Sequence, residues 1–242
     1  MEEIVPAVPL YKRVHDTLIE RIVSGDLRPG AMLPSEFNLG TELGVSQGTV
    51  RKALIALEAA GLVKRQQGRG TFVAATTPET AMFHFFRLHR IDGTQATPEP
   101  ARETVRTRAA SAREIAAFGI GRSIGRIRVF EIRRIRKIDG RIASREMVVL
   151  PAEKFPGLGE RGVLPNALYP LYEQSYGITI ARAEETIRAR AADAETAADL
   201  AVMPGHPILE VTRRAIGISD AVIEFRFSQF LTDSLTYDVV LK

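Results

Sequence analysis

The sequence predicts an α+β protein in two parts, a small helical domain followed by a larger domain built on an antiparallel sheet. In residues 10–61, apolar residues recur at helical spacing and glycines interrupt them. After residue 80, strand-like runs outnumber helical runs and turn residues join them, which is typical of antiparallel α+β domains. Residues 74–80 have no apolar pattern. We therefore predict domains at residues 1–73 and 81–242, with a linker at 74–80.

Composition limits the class of protein. The sequence has no run of about 18 apolar residues that would cross a membrane, and its acidic start lacks the cationic segment of a secretory signal. It contains no cysteine, which excludes disulfides and thiolate metal sites. Its net charge of +4 is too small to indicate nucleic acid by itself. We therefore expect a cytoplasmic globular protein without a metal or cofactor.

The first helix of the small domain is amphipathic. Leu10, Val14, Leu18 and Ile22 recur at four-residue spacing, so they share one face of a helix. Gly25 follows them and ends the pattern. We expect this helix to pack against the two that come next.

The second and third helices are short and lie close together in the chain. Ser35 is placed to cap the second and Ser46 the third, while Gly44 and Gly61 end them. The connection allows only a sharp turn, so the helices must cross. This is a helix-turn-helix, whose second helix enters a groove of DNA. The apolar residues at helical spacing are Phe37, Leu39 and Leu43 in one helix and Val50, Ala53, Leu54 and Leu57 in the other.

Polar residues remain on the outward side of the third helix at its start. They are Gln47, Gly48, Thr49, Arg51 and Lys52. Gln47 and Arg51 are one turn apart and point the same way. Glutamine reads adenine with two hydrogen bonds, and arginine reads guanine or binds phosphate. This helix therefore carries the residue types that base and phosphate contacts require.

A strand, a glycine turn and a second strand follow at residues 62–73, which predicts a β-wing with cations at its tip. Between Ser46 and Gly70 the only acid is Glu58. Five cations stand against it, namely Arg51, Lys52, Lys64, Arg65 and Arg69. Such a local basic face suits phosphate contact.

Separated motifs in residues 10–73 closely resemble the winged helix of GntR-type bacterial regulators. They are Leu33-Pro34-Ser35-Glu36, Gly44-Val45-Ser46, Thr49-Val50-Arg51-Lys52-Ala53-Leu54 and Gly68-Arg69-Gly70-Thr71-Phe72-Val73. The resemblance implies that DNA is contacted by Ser35, Phe37, Ser46, Gln47, Thr49, Arg51, Lys52, Gln67, Gly68 and Arg69.

This chain departs from the family pattern at two of those positions. The family usually has arginine where Phe37 and Gln47 stand here. Gln47 is therefore expected to read a different base, and Phe37 either packs on a sugar or a thymine methyl group or is buried. The resemblance thus implies an operator that differs from the family's commonest one.

The second domain is predicted to contain eight strands and three short helices. The strands are expected at residues 83–91, 102–107, 126–137, 141–150, 178–189, 207–216, 222–230 and 237–241. The helices are expected at residues 111–118, 168–176 and 193–202. Residues 138–140, Ile-Asp-Gly, are a strong hairpin signal between the two longest strands.

Charged residues on this hairpin suggest a pocket. Arg134 and Arg136 are two apart on a strand and leave it by the same face. A three-residue loop with Gly140 in the left-handed conformation would put Glu146 on that face too, whereas a two-residue Asp139-Gly140 loop would put it on the other. Arginines and a carboxylate that converge in a sheet would suit an anionic ligand with hydroxyl or amine groups. The alternative is a solvated strand face with an ion pair of little energetic consequence.

The order of elements from Phe83 to Leu241 resembles the effector domain of the HutC branch of the GntR family, known as the UTRA domain, which is related in fold to chorismate lyase. The matching motifs are Arg134-Ile135-Arg136, Glu146, Ala167-Leu168-Tyr169, Tyr176-Gly177, Ala183-Glu184-Glu185 and Ile223-Glu224-Phe225. The resemblance implies an effector site formed by Arg134, Arg136, Glu146, Tyr169 and Glu224.

Three departures argue against a sugar phosphate as the effector. Ala167 stands where sugar-phosphate-responsive relatives have a serine, and Phe230 stands where a tyrosine is common. Residues 83–87 replace a serine-bearing loop. We therefore expect a less polar pocket that binds a carboxylate with an apolar body.

The resemblance as a whole implies a ligand-responsive repressor that binds a near-palindromic operator in double-stranded DNA as a homodimer, with no membrane partner. A lyase-like enzyme domain tethered to a DNA-binding module is the main alternative, and a DNA binder without a ligand is the third. The sequence presents no positioned acid–base pair beyond Glu146, so we predict that the chain is not an enzyme.

Overall fold

The computed structural model describes residues 9–75, 86–119 and 127–239. Its contacts divide the chain between residues 76 and 77 into two compact units. This division lies inside the predicted linker at residues 74–80, most of which is outside the described residues, as is the predicted start of the first strand at Phe83 and Phe85. Among the described residues, no helix is long and apolar enough to cross a membrane.

The first unit has the predicted three helices and wing. The helices are α1 (Leu10–Ser24), α2 (Glu36–Leu43) and α3 (Gln47–Ala59), and the wing strands are β1 (Val63–Gln66) and β2 (Gly70–Val73). Gly25 and Gly44 end α1 and α2 in the left-handed conformation, as the sequence predicts. The apolar stripes of the three helices meet in one core, whose most buried members include Leu18, Leu39 and Leu54.

The turn between α2 and α3 passes very close to Gly40. A Cβ atom at this position would lie 2.9 Å from the carbonyl oxygen of Val45, which is closer than such atoms approach in proteins. Glycine therefore allows the sharp crossing of the two helices, and the backbone N–H of Val45 donates a hydrogen bond to the Gly40 carbonyl at 2.9 Å. The angle at which α3 is presented depends on this contact.

The second unit is an antiparallel α+β domain, which confirms the predicted fold class. Its strands are β3 (Leu88–Arg90), β4 (Glu99–Ala109), β5 (Arg128–Ile138), β6 (Arg141–Pro151), β7 (Ile180–Ala191), β8 (Pro207–Gly217), β9 (Val222–Phe230) and β10 (Leu235–Tyr237). Six of them form one sheet in the order β4-β5-β6-β9-β8-β7, and β3 pairs with β10 separately. The predicted last strand was placed too late, because pairing with β3 occurs at 235–237; residues 240–242 are outside the described part of the chain.

Helices cover both faces of the six-stranded sheet. They are α4 (Ala112–Phe118), α5 (Leu168–Tyr176) and α6 (Ala194–Leu200). On one face, Tyr172 of α5 is completely buried in a core with Ile132, Val148 and Phe155. On the other, Phe118 of α4 packs against Val129, Val149, Ile216 and Phe225. The face under α5 holds the predicted effector residues.

The β5–β6 hairpin combines a two-residue turn with a β-bulge. Ile138 pairs with Arg141, and Asp139 and Gly140 both have positive φ, at 51° and 76°. The register then shifts, because Arg136 pairs with Ser144 and Lys137 with Ile142, which makes Ala143 the extra residue. The bulge restores the face that the short loop alone would have reversed. Arg134 therefore lies directly opposite Glu146.

Replacing Gly40 with alanine is expected to loosen the α2–α3 crossing, since overpacking of this kind costs about 1–3 kcal/mol. Amide hydrogen exchange of the full chain should show faster exchange in residues 36–59. Gly48→Ala is the matched control, because its nearest neighbour atom would be 3.9 Å away. Unchanged exchange in the Gly40 variant would mean that the turn does not restrain α3.

Candidate nucleic-acid interface and effector site

Serine caps fix the starts of both helix-turn-helix helices. Ser35 Oγ accepts a hydrogen bond from the backbone N–H of Asn38 at 3.1 Å, and Ser46 Oγ accepts one from that of Thr49 at 3.2 Å. The hydroxyls of Ser46 and Thr49 also lie 2.9 Å apart and share a hydrogen bond. These caps satisfy N–H groups that a helix start leaves unpaired. The predicted DNA-contacting hydroxyls therefore also hold the recognition helix in place.

Nearly all of the predicted DNA-contacting side chains on α3 and the wing are at the surface. The exposed ones are Gln47, Arg51, Lys52, Gln67, Gly68 and Arg69, and Thr49 is half-buried. The wing turn is three residues long, because Gln66 pairs with Gly70. Gly68 has φ 70°, a left-handed conformation that favours glycine. The turn thus presents Arg69 at the tip of the wing.

Glu36 of α2 joins the basic residues of this surface. Its Oε2 accepts hydrogen bonds from Arg51 Nε at 2.9 Å and Gln47 Nε2 at 3.3 Å, and its Oε1 accepts one from an Arg65 amine at 3.2 Å. The bond from Arg51 is the main reason that the pKa of Glu36 is lowered. One carboxylate therefore sets the positions of the two predicted base-reading side chains.

The sequence analysis missed Glu36 as a site residue because it counted charges only between Ser46 and Gly70. The acid lies ten residues before that window and reaches it through the helix crossing. Glu36 could have been found by extending the charge count to the preceding predicted helix, which crosses the helix of Gln47 and Arg51.

Phe37 projects into solvent beside these residues. Its exposed fraction is 70%, so the expectation that it is buried is wrong in this structure. Lys52, by contrast, is directed toward α1, because its Nζ lies 4.2 Å from the centroid of the Tyr11 ring. An exposed aromatic ring is a ready apolar contact for a sugar or a methyl group. Phe37 is therefore an exposed aromatic residue of α2, directly after Glu36 in the chain.

The second unit brings the five predicted effector residues to one face of its sheet. Arg136 Nε lies 3.5 Å from Glu146 Oε2, and both side chains are buried. Tyr169 on α5 and Glu224 on β9 pack over the same face and are also buried. The interpretation of a solvated strand face with an exposed ion pair is therefore wrong.

Arg134 is held by the segment that precedes α5. Its Nε donates to Glu103 at 2.5 Å, and its terminal nitrogens donate to the carbonyl oxygens of Pro165 at 3.0 Å and Asn166 at 3.3 Å. Each guanidinium nitrogen of Arg134 thus donates a hydrogen bond within the protein. Through two of these bonds Arg134 holds the loop at residues 165–166 in position.

A small cavity of about 40 Å³ opens beside Arg136. Its polar lining consists of Arg136, Glu146, Asn166, Arg213 and Arg226, and its less polar lining of Phe86, Pro98, Ala167, Leu168 and Tyr169. Asn166 accepts hydrogen bonds from both terminal nitrogens of Arg136. Its side-chain oxygen accepts from one, and its backbone carbonyl oxygen accepts from the other at 3.0 Å. Ligand pockets are about 300–1,000 Å³, so the cavity is smaller than a metabolite needs while Asn166 holds this position.

Two atoms of the cavity wall face each other as an ion pair at 3.5 Å and have no closer hydrogen-bond partner in the described part of the chain. They are Nε of Arg136 and Oε2 of Glu146. Buried polar atoms are almost always hydrogen-bonded, and an exception calls for an explanation. A ligand that offers both an acceptor and a donor would satisfy this pair.

Glu224 lies behind the cavity lining. It accepts hydrogen bonds from Tyr169 at 3.3 Å, from Tyr172 at 2.7 Å, and from two nitrogens of Arg226 at 2.8 and 3.0 Å. Burial and this carboxylate raise the pKa of Tyr169 to about 12, so the phenol stays protonated as a donor. Glu224 therefore orients Tyr169 and Arg226, which do line the cavity.

Sequence reasoning missed three lining residues, Asn166, Arg213 and Arg226. Arg226 follows Glu224 by two positions in a predicted strand, so period-two spacing would have placed both on one face. Arg213 is found only through the β8–β9 register, where it pairs with Arg226. Asn166 lies in a loop whose position no local pattern indicates. Among the described residues, no group of acidic residues and histidines is arranged to hold a metal ion.

Comparisons with known proteins agree with this two-part structure. Residues 10–73 match the model of bacterial regulatory proteins of the gntR family, and residues 104–236 match the UTRA domain. The mannosyl-D-glycerate transport/metabolism system repressor MngR of Escherichia coli is 28% identical over 234 residues, which cover 96% of this chain and 95% of the relative.

Two further matches agree with this assignment, one over about a third of the chain and one over nearly all of it. A histidine utilization repressor of Pseudomonas putida is 45% identical over 75 residues, which cover 31% of this chain and 30% of that protein. The crystal structure of PhnF from Mycobacterium smegmatis has a TM-score of 0.55 and 27% identity and covers 95% of this chain and 99% of that one. The chain therefore belongs to the GntR family of bacterial transcriptional regulators, in the HutC branch that carries a UTRA domain.

Proposed function

We propose that this regulator is a repressor that binds a near-palindromic operator as a homodimer and responds to a small anionic metabolite. The observation that carries the proposal is that each compact unit gathers arginines at one place. The first is the exposed basic face of α3 and the wing, and the second is the buried cavity lined by arginines. Several relatives, MngR among them, are named as repressors.

We assign one role to each of three consecutive segments of the chain. Residues 1–73 bind DNA, residues 74–80 link the domains, and residues 81–242 bind the effector and form the dimer. Two-fold symmetry of a dimer is mirrored in two half-sites one helical turn or its multiples apart. The effector would bias two arrangements of the dimer through its different affinity for each. Such a protein acts on the chromosome, so we place it in the cytoplasm.

Base reading is assigned to the start of α3. Gln47 suits adenine and Arg51 suits guanine or a phosphate, and both are held by Glu36 before DNA arrives. Phe37 has no side-chain hydrogen-bond donor, unlike the arginine that the family usually has at this position. Its exposed ring suits the C5 methyl group of thymine or a sugar. We therefore propose that Phe37 contacts a thymine methyl group, so that the operator differs from the family's commonest one.

The effector is assigned to the cavity beside Arg136. A carboxylate would replace the Asn166 amide on Arg136, and a donor on the ligand would pair with Glu146. Phe86, Leu168 and Tyr169 supply apolar and aromatic walls. These features support an anionic ligand with an apolar body and at least one hydrogen-bond donor.

An enzymatic role for the second unit is less well supported. A general acid needs a carboxyl group whose pKa is raised toward neutrality. Burial alone would raise the pKa of Glu146, but Arg136, Arg226 and Arg134 together hold it below its ordinary value. Glu146 therefore stays ionised and acts as a hydrogen-bond acceptor. Turnover of a bound metabolite by the purified chain would revive the lyase-like alternative.

The proposal is tested by fluorescence anisotropy of the full chain with the DNA upstream of its own gene, against scrambled DNA, over a salt series. We expect tighter binding to the upstream DNA and an affinity that falls with salt as counterions are released. Candidate acids are then screened for release of the DNA. Equal binding to both DNAs at every salt concentration would contradict a site-specific regulator.

Replacing Arg51 with alanine is expected to weaken binding to the preferred operator by roughly tenfold or more, because a bidentate base contact is worth about 1–3 kcal/mol. The operator should first be selected from random-sequence DNA with the wild-type chain. Arg141→Ala removes one exposed charge from the other unit and is the control. If both variants bind the operator alike, Arg51 does not read it.

Replacing Phe37 with alanine is expected to weaken operator binding about fourfold, the effect of one buried methyl contact of about 0.8 kcal/mol. Substituting uracil for the contacted thymine removes only that methyl group and should weaken wild-type binding to the same extent. The two changes should not add when they are combined. Additive losses would show that Phe37 contacts something other than the methyl group.

A further inference from the structure

Two arginines outside the motifs named in the sequence analysis lie side by side in the proposed effector cavity. Arg213 on β8 and Arg226 on β9 are direct register partners, so their side chains leave the sheet together. Like charges placed directly opposite each other on neighbouring strands destabilise a sheet. Arg213 is buried, and the side chain of Arg226 is only 15% exposed. Such a pair needs a compensating partner.

Each of the two arginines is backed by a glutamate that lies outside the cavity lining. Glu224 accepts two hydrogen bonds from Arg226, and Glu185 accepts from Arg213 Nε at 2.6 Å. Tyr237 donates to the other Glu185 oxygen at 2.8 Å. The carboxylates thus fix both guanidinium groups from behind. The edges that meet the cavity belong to the arginines.

The cavity wall presents three guanidinium groups to one space. Arg136, Arg213 and Arg226 line it, together with the carboxylate of Glu146. Arg213 and Arg226 are neutralised by Glu185 and Glu224, which do not line the cavity. Burial is the largest cause that lowers the pKa of Arg136, and Glu146 opposes it. A ligand in the cavity therefore meets guanidinium groups whose glutamates lie outside the lining.

A second hollow adjoins the first and shares its central wall. Phe86, Glu146, Arg213 and Arg226 line both hollows, and Ser228 and Tyr237 line only the second. The two arginines therefore stand between the hollows, whereas Arg136 stands at one end. A ligand that reaches from Arg136 past Glu146 meets Arg213 and Arg226 next.

From this geometry we infer that Arg213 and Arg226 form a second anion subsite, and that the effector carries two acidic groups, as a dicarboxylate does. One acid group replaces Asn166 on Arg136, the other lies against Arg213 and Arg226, and Glu146 accepts a hydrogen bond from the part between them. This inference rests on the proposed effector site. It goes beyond that site in fixing the charge and the length of the ligand.

The test compares straight-chain dicarboxylates of three to eight carbons with monocarboxylates of equal length. Each is titrated into the full chain by calorimetry at constant ionic strength. A charge-assisted contact to a second acid group should make at least one dicarboxylate bind roughly tenfold tighter than its matched monocarboxylate. Equal affinities, with binding that Arg136→Gln abolishes, would overturn the second subsite and leave the proposed site intact.

A pair of double variants assigns the effect to the two arginines. Glu185→Gln with Arg213→Gln removes a register pair from the cavity face without leaving a charge unpaired. Glu184→Gln with Arg214→Gln removes the neighbouring register pair, whose exposed side chains lie on the other face. The dicarboxylate advantage should disappear in the first variant and persist in the second. Its persistence in both would overturn the inference.

Glu224→Gln with Arg226→Gln is the second variant, needed if the first does not fold as judged by its circular dichroism and melting. It should also abolish the advantage. If no acid of either series binds the wild-type chain, both the dianionic ligand and the proposed anionic effector are wrong. DNA binding in the anisotropy assay would then still report on the first unit alone.

Discussion

The second unit depends on the rule that a buried guanidinium group must be paired. Four arginines, at positions 134, 136, 213 and 226, leave one face of the six-stranded sheet. Glutamates at 103, 146, 185 and 224 contact them on the same face. Removing one member would strand an unpaired charge, at a cost of about 3–5 kcal/mol. The register of every strand in the sheet is tied to these pairs, because a slip of one residue would move its charge to the opposite face.

Within that network, the pair of Arg136 and Glu146 is unusual, and both of its members line the cavity. Arg134, Arg213 and Arg226 each have a carboxylate within 2.8 Å. Arg136 and Glu146 are 3.5 Å apart, and each keeps an atom without a hydrogen bond in the described part of the chain. Asn166 bonds to the other side of Arg136 and closes the cavity. The network therefore has close ion pairs at Arg134, Arg213 and Arg226 and a longer one at Arg136, where a ligand would complete it.

Local sequence signals predicted the elements well and the site only in part. Serine caps, glycine stops and apolar spacing are properties of a few neighbouring residues, so the helices of both units were found close to their true bounds. The side of the sheet on which Glu146 lies was left open, because it depends on loop length and on the bulge at Ala143 together. Glu36 and Arg213 reach their partners across a helix crossing and a strand pairing. Contacts of this kind are set by tertiary packing, which no single stretch encodes.

The two units use carboxylates to position arginines in opposite physical settings. Glu36 holds Arg51 where the arginine side chain is 56% exposed, and ion pairs between exposed side chains add little stability. A DNA phosphate or base can therefore replace Glu36 as the partner of Arg51 with little loss of stability. Before DNA binds, the carboxylate of Glu36 restrains the Arg51 side chain. Glu224 holds Arg226 in the interior, where the pair cannot be exchanged. The exposed pair of Glu36 and Arg51 suits a surface that exchanges one partner for another when DNA binds. The buried pair of Glu224 and Arg226 suits a cavity wall that keeps its shape when a ligand binds.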